Sequence, residues 1–392
     1  MTGPGDQAHC YLDHNATAPL LAEARDAMVA ALDQIGNPSS VHRQGRAARA
    51  LIEQARRQVA SLVQVDPAQV IFTSGASEAA SHVLTPDFRM GRTALHFSQL
   101  YVLATEHACV LEGGRFARDQ VTRIPVDANG LVDLASLASA LKAHDPASGL
   151  PMVAVALANN ETGVIQPISD VATMVHALGG VLVVDAVQAA GRLDVAIAGL
   201  GADFLLLSAH KIGGPKGAGA LVSAGQVMMP GPLVSGGGQE KGHRSGTENL
   251  SAIAGFGVAA HIAAERRVAF AAHARGLRTM LESGIRNVAA DAVIAGADAD
   301  RLANTTCVVV PGLKAETAQI AFDLEGIAVS AGSACSSGKV GESHVLAAMG
   351  LHGSGLRIST GPATTENDIE RCLDVFARLV SRRKEAAPRS AA

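Results

Sequence analysis

Lys211 stands in Ser208-Ala-His-Lys211, directly after an apolar run and before Ile212-Gly-Gly-Pro-Lys-Gly217. A lysine held at a strand end on a glycine-rich turn can desolvate, lose its proton and form a Schiff base with an aldehyde. An isolated lysine in a loop is more often a plain surface charge, so its neighbours decide the matter. Asp185 closes the apolar run 181–184, and Gln188 follows it in Asp-Ala-Val-Gln. A carboxylate there can pair with a protonated pyridine nitrogen while the amide reaches a phenolate oxygen on the same ring. Pyridoxal phosphate needs such a partner at its nitrogen to act as an electron sink. From the segment alone, an Asp opening a loop after a strand is the commoner case. Thr73-Ser-Gly-Ala-Ser-Glu78 follows the run 70–72 and opens a helix. Free N–H groups and small hydroxyls at such a turn can cradle a phosphate, or form an ordinary βα turn with a Ser cap.

Three further residues fit a reaction on a planar ring. His107, in Thr105-Glu-His107, follows an apolar run, so its imidazole can stack over a ring at a strand end or be a partly buried, hydrogen-bonded histidine. Cys335 lies in Ala331-Gly-Ser-Ala-Cys-Ser-Ser-Gly338, a run of tiny residues suited to an exposed loop that carries a thiolate between substrate and acceptor. Arg357, in Leu-Arg-Ile-Ser-Thr-Gly361, can hold a substrate carboxylate by a two-pronged bond or form a salt bridge. Cys10, Cys109, Cys307 and Cys372 read as small packing residues.

The elements that must position these groups alternate. β-rich runs at 70–73, 101–105, 153–157, 181–184, 204–207 and 220–222 are interleaved with amphipathic helices at 46–62 and 168–178. That order predicts an α/β domain with a mostly parallel sheet, whose ligands gather at the carboxyl ends of the strands. From about residue 250 the texture changes. One or two long helices over 252–282 are expected, then strands at 305–310, 327–329 and 356–359 with a helix over 316–324. A last helix starts with Thr365 and Asp368 in a capping-box arrangement and presents Ile369, Cys372, Leu373, Phe376 and Val380 on one face. The reading is a large domain over 16–259 and a smaller α+β domain made of 1–15 and 260–392.

Composition sets the outer bounds. The chain has 392 residues, 48% hydrophobic and 17% charged, which supplies a large core and excludes extensive disorder. Aromatics are 3% with no Trp, so Ala, Val and Leu must do most of the packing. A net charge of −4 with no Lys/Arg block gives no support for nucleic-acid or membrane-surface binding. Five scattered cysteines without a C-x-x-C pair argue against a disulfide framework and a zinc site. No signal peptide or bilayer-spanning run is visible, so a soluble, cytoplasmic protein without a metal is expected.

Taken together, these residues resemble the cysteine desulfurases, pyridoxal-phosphate enzymes of the class V aminotransferase group. The resemblance runs from Tyr11-Leu-Asp-His-Asn-Ala-Thr-Ala-Pro19 through Gly36-Asn-Pro-Ser-Ser40, Thr105-Glu-His107 and Asn159-Asn-Glu-Thr-Gly163. It continues through Asp185 and Gln188, Ser208-Ala-His-Lys211, Gly236-Gly-Gly-Gln-Glu240, Arg244-Ser-Gly-Thr-Glu-Asn249 and Gly332-Ser-Ala-Cys335. It implies an aspartate-aminotransferase-like (fold type I) architecture and pyridoxal 5'-phosphate as cofactor. By that resemblance Lys211 would hold the cofactor covalently and move protons. Asp185 would pair with the ring nitrogen, Gln188 would bond the ring hydroxyl, and His107 would stack on the ring. Ala76 (through its N–H), Ser77, Ser208 and His210 would grip the phosphate, with Thr247 reaching that of the other subunit in a homodimer. Asn160 and Arg357 would position L-cysteine, and Cys335 would accept its sulfur as a persulfide, leaving L-alanine.

The longer stretch between Cys335 and Ser343-His-Val-Leu346 resembles the branch that hands sulfur to an iron–sulfur scaffold. Ser77 replaces the family's usual Thr and keeps the hydroxyl, while Gly341-Glu342 replaces its usual Glu-Pro. Alternatives in the same group are a selenocysteine lyase and an aminotransferase; an aminotransferase needs no nucleophilic thiol. A non-catalytic binding protein on the same fold would be free to lose Lys211 or Cys335, and this chain keeps both.

Overall fold

The computed structural model describes residues 9–332 and 343–386. Its main sheet runs in the order Met228–Pro230, Asp87–Met90, Thr93–Leu103, Leu150–Ala156, Val181–Asp185, Phe204–Ser208, Gly219–Ser223, Val70–Thr73, with Val121–Ile124 also paired to Thr93–Leu103. The strands from Val121–Ile124 to Phe204–Ser208 are parallel. Gly219–Ser223 is antiparallel to both of its neighbours. The central strands are apolar almost throughout because helices cover both faces. Alternate residues divide between two cores: Val153, Val155, Leu182 and Val184 face one, and Met152, Ala154, Val181 and Val183 face the other.

The expected strands of this sheet are present with shifted bounds, that at 153–157 being Leu150–Ala156, while Asp87–Met90, Val121–Ile124 and Met228–Pro230 lie outside the expected set. The strand expected at 101–105 begins at Thr93, where a tight turn through Gly91 (φ +60) joins it to Asp87–Met90. Most of its first residues are exposed, so no apolar run marked them. The helices expected at 46–62 and 168–178 are Arg43–Val63 and Ile168–His176.

The stretch expected to hold one or two helices is a single helix, Leu250–Val288, of 39 residues. Gly257 does not break it; a Cβ there would lie 2.5 Å from Ala55 Cα, so the glycine permits close contact with Arg43–Val63. Early residues of the long helix, such as Phe256 and Ala260, join the main core. Leu277, Leu281 and Ile285 join a second core. That second core also takes Cys10 and Leu12 from the N-terminal segment, Phe322, and Ile369, Cys372, Phe376 and Val380 from the last helix, Glu366–Ala386. The cap of that helix forms as the sequence suggests. Thr365 Oγ1 donates to Asp368 Oδ2 at 2.8 Å and accepts from the Asp368 N–H at 3.2 Å. A four-stranded antiparallel sheet, Val293–Ile294, Thr305–Val309, Gly355–Ser359 and Ser330–Ala331, completes this part. Cys10–Tyr11 pairs in parallel with Ile327–Ala328 beside it. Among the described residues no helix is long and apolar enough to cross a membrane.

One buried ion pair ties the loop before the long helix to the sheet edge. Both terminal nitrogens of Arg56 donate to the Glu240 carboxylate at 2.7 Å, and Arg56 also donates to the Val70 carbonyl at 2.7 Å. Glu240 Oε2 accepts from the Phe72 N–H at 2.9 Å. Breaking a buried pair from one side strands a charge, so Arg56→Ala is expected to lower unfolding stability by about 3–5 kcal/mol. Denaturant unfolding checks this; a midpoint equal to wild type would contradict it.

Candidate active site

A cavity of about 630 Å³ opens at the carboxyl ends of the parallel strands. Asp185, the last residue of Val181–Asp185, lies in its wall with Gln188 just beyond. Ser208 ends the next strand, and the single turn Ala209–Lys211 carries His210 and Lys211 into the same wall. Asn160, His107, Ala76 and Ser77 complete the set of expected residues that line it. Thr247 does not line it; it is an exposed loop residue. Arg357 lies outside the lining but donates to the backbone carbonyl of Asn160 at 3.1 Å, next to the cavity. Cys335 lies outside the described residues.

The phosphate-cradle segment keeps its shape by close packing. Helix Ala76–Val83 begins at the cavity, and its cap Gly75 presses on Gly219 so tightly that a Cβ at 219 would sit 2.6 Å from Gly75 Cα. Ser74 N–H donates to Glu78 at 2.8 Å, and Glu78 is held by Arg244 at 2.9 Å. The first-turn N–H groups, the Ser77 hydroxyl and the Lys216 amine therefore border one end of the cavity, a donor set that suits a phosphate.

The other end suits an aromatic nitrogen and an aldehyde. Asp185 Oδ1 accepts from the Val187 N–H at 2.9 Å. Burial pushes its carboxyl up from 3.8 to about 6, against the opposing effects of that bond and of Lys211. A ring N–H at this position would supply the charge partner that a buried carboxylate needs. Lys211 Nζ donates to the carbonyls of Asn15 at 2.6 Å and Ala16 at 2.8 Å. Gln188 Nε2 donates to the same Asn15 carbonyl at 2.9 Å. His107 caps the short helix Ala108–Leu111, its Nδ1 accepting from the Cys109 N–H at 3.2 Å. In the neutral ring the proton therefore sits on Nε2. Burial, with Lys211 and His344 adding, holds the imidazole below its ordinary value, which favours that neutral form. His210 is pushed down to about 4 by burial and by Lys211 and Lys216. The residues present thus fit pyridoxal phosphate at each of its three functional ends.

The raised Asp185 carries a pH signature. In the unfolded chain the acid ionises near 3.8, and in the folded cofactor-free protein near 6. The folded state binds the extra proton between these values, so stability from this site is present at low pH and lost as pH rises through about 6. Cofactor-free Asp185→Asn escapes that loss. Its melting temperature minus that of wild type is expected to grow between about pH 4.5 and about pH 7.5; a flat difference would contradict the assignment.

Several residues at the site escaped the sequence reading. Cys109 packs against the core on one face of the main sheet, as expected, and also lines the cavity, half-buried, with Sγ 3.1 Å from His107 Nδ1; Cys10, Cys307 and Cys372 are buried packing residues. Burial, with Asp185 and Glu106 adding, pushes the Cys109 thiol up to about 12, which keeps it protonated at neutral pH. Asn15 is a hub. Beyond its carbonyl bonds, it donates to Thr305 Oγ1 at 3.0 Å and accepts from Asn304 at 3.2 Å, linking Lys211 and Gln188 to the smaller sheet. Glu161 accepts from the Ser343 hydroxyl at 2.6 Å, and burial raises its carboxyl to about 7. Asn15 and Glu161 sit in segments quoted for the resemblance; only their long-range partners reveal their work.

The sheet, the lysine turn and the buried acid define a pyridoxal-phosphate enzyme of fold type I. Residues 10–372 match the family model for class-V aminotransferases. The chain is 37% identical to a cysteine desulfurase of Cereibacter sphaeroides, over 96% of this chain and 97% of that one. It is 35% identical to an IscS-like cysteine desulfurase of Mycobacterium tuberculosis, over 96% and 98%. The solved structure of a NifS-like protein from Rickettsia africae superposes with a TM-score of 0.85 at 32% identity, covering 95% of this chain and 99% of that one. The chain belongs to the class-V aminotransferase family, in its cysteine desulfurase group.

Proposed function

We propose that the cavity takes sulfur from L-cysteine and places it on Cys335, with the residue roles that follow. The observation that carries this reading is the convergence on one cavity of Lys211, Asp185, His107 and the Ala76–Ser77 turn. When bound, pyridoxal phosphate supplies the electron sink that makes the bonds at the substrate's Cα and Cβ labile. Lys211 Nζ anchors the cofactor and takes and returns the proton at Cα. Asp185 keeps a proton on the ring nitrogen, and Gln188, with Oε1 facing Arg192, turns its amide N–H groups to Asn15 and the cavity. His107 covers the ring as a neutral imidazole, and Ala76, Ser77, Ser208 and His210 hold the phosphate. Asn160 and Arg357 orient the substrate, with Arg357 on its carboxylate.

Cys335 attacks the substrate sulfur as a thiolate. The Cβ–S bond breaks as the S–S bond forms, and Cβ is protonated, so cysteine and the Cys335 thiol become alanine and a Cys335 persulfide. That sulfur then passes to an acceptor, an iron–sulfur scaffold being the partner favoured here. A homodimer, supported by the exposure of Thr247 outside its own cavity, and a cytoplasmic setting complete the proposal. So does the division into a domain over 16–259 and one made of 1–15 with 260–392, which the separate cores support. Borohydride reduction of the yellow protein and peptide mapping test the anchor: the pyridoxyl group is expected on Lys211, and a label on another lysine would refute it.

A further inference from the structure

A second cavity, of about 300 Å³, lies beside the first, and Lys211 lines both. Leu20, Leu21, Ile262, Phe270 and Pro362 make its wall largely apolar. Arg192 also lines this wall, and its environment is unusual for a buried cation. The residue is only 9% exposed. Nη1 donates to the Gln188 carbonyl at 2.8 Å and to Gln188 Oε1, and both acceptors are neutral. No carboxylate forms an ion pair with Arg192 among the described residues; Arg266, which also lines the cavity, pairs with Glu23 at 3.0 Å, and Asp13 pairs with Arg357 at 2.8 Å. Burial and the neighbouring Arg357 together push the Arg192 guanidinium down to about 10, so its surroundings add positive charge instead of cancelling it. A second polar group lies in the same wall. Thr360 is 2% exposed and its hydroxyl has no hydrogen-bond partner among the described residues.

A buried charge is normally paired, and a buried hydroxyl is normally bonded. Here an unpaired guanidinium and an unsatisfied hydroxyl border an apolar space large enough for a small molecule. We propose that this cavity is a binding site for a small monocarboxylate with an apolar body, its carboxylate on Arg192 and the Thr360 hydroxyl and its tail against Leu20, Ile262 and Phe270. The site is separate from the one that takes the amino-acid substrate. The ligand would also bear on the cofactor cavity, because Arg192 holds Gln188 through both of that residue's carbonyl oxygens.

The test is equilibrium binding of hexanoate, hexan-1-ol and hexylammonium to the cofactor-loaded protein by calorimetry. Hexanoate is expected to saturate at one site per chain and to bind at least about tenfold tighter than hexanol, since hydrogen bonds to a charged group carry that much. Hexylammonium is expected not to bind, and saturating L-alanine is expected to leave the hexanoate affinity unchanged. Arg192→Gln should abolish the preference for hexanoate over hexanol. Thr360→Val, which leaves the guanidinium in place, should weaken hexanoate by about fivefold and leave hexanol unaffected. Equal affinities for acid and alcohol would overturn the proposal. So would a preference that survives Arg192→Gln, an unaltered hexanoate affinity in Thr360→Val, or displacement by L-alanine.

Discussion

Lys211→Ala is expected to lower alanine release from L-cysteine by at least ~10³-fold, while the protein keeps its fold and still binds the cofactor without a covalent bond. The reason is local. Lys211 Nζ lies at a strand end between the Asn15 and Ala16 carbonyls, in the wall that also holds Asp185. These carbonyls orient the amine, and truncation to Ala removes both the anchor and the group that moves the Cα proton. Single-turnover assays with added cofactor measure the loss. Activity within about tenfold of wild type would mean that another base does this work.

Arg357→Ala has the second large expected effect, and it separates two roles that the residue type alone left open. The guanidinium is 3% exposed; Nη2 meets Asp13 at 2.8 Å and Nη1 meets the Asn160 carbonyl at 3.1 Å, while Nε is buried without a partner among the described residues. The salt bridge holds the arginine beside Asn160 and uses only one N–H on each terminal nitrogen. If the same group also takes the substrate carboxylate, kcat/KM for L-cysteine falls by about 10²–10³-fold, mainly through KM. Stability falls as well, because Asp13 loses its partner. A stability loss with KM unchanged would confine Arg357 to the Asp13 pair. Arg357→Lys is expected to restore part of the stability and little of the KM, since an ammonium cannot reproduce the two-pronged geometry.

The residues that were legible in the sequence share one property: they end apolar strands. Asp185 and Ser208 close runs that register as buried parallel strands, and Lys211 follows within one turn. Local pattern suffices there because a parallel sheet gathers its strand ends on one edge. The last helix was legible for a similar reason, its cap and apolar stripe being contained in a single segment.

Groups defined by distant contacts were not legible. Arg192, in Gly-Arg-Leu, looks like a surface residue until His14 and the 360–363 segment close around its cavity. Cys109 lies on a helix of four residues, too short to show which face is buried. Asn15 and Glu161 act through partners more than 100 positions away, Thr305 and Ser343 among them. The exposed first half of Thr93–Leu103 was missed because it is set by pairing with Asp87–Met90 and not by an apolar run.

Among possible measurements, alanine release from L-cysteine without oxygen, by wild type beside Cys335→Ala, meets the central claim most directly. Wild type is expected to form alanine and a persulfide that mass mapping places on Cys335, and the variant is expected to form neither. Alanine formed equally by both proteins, or a cofactor-loaded wild type that releases none, would contradict the account.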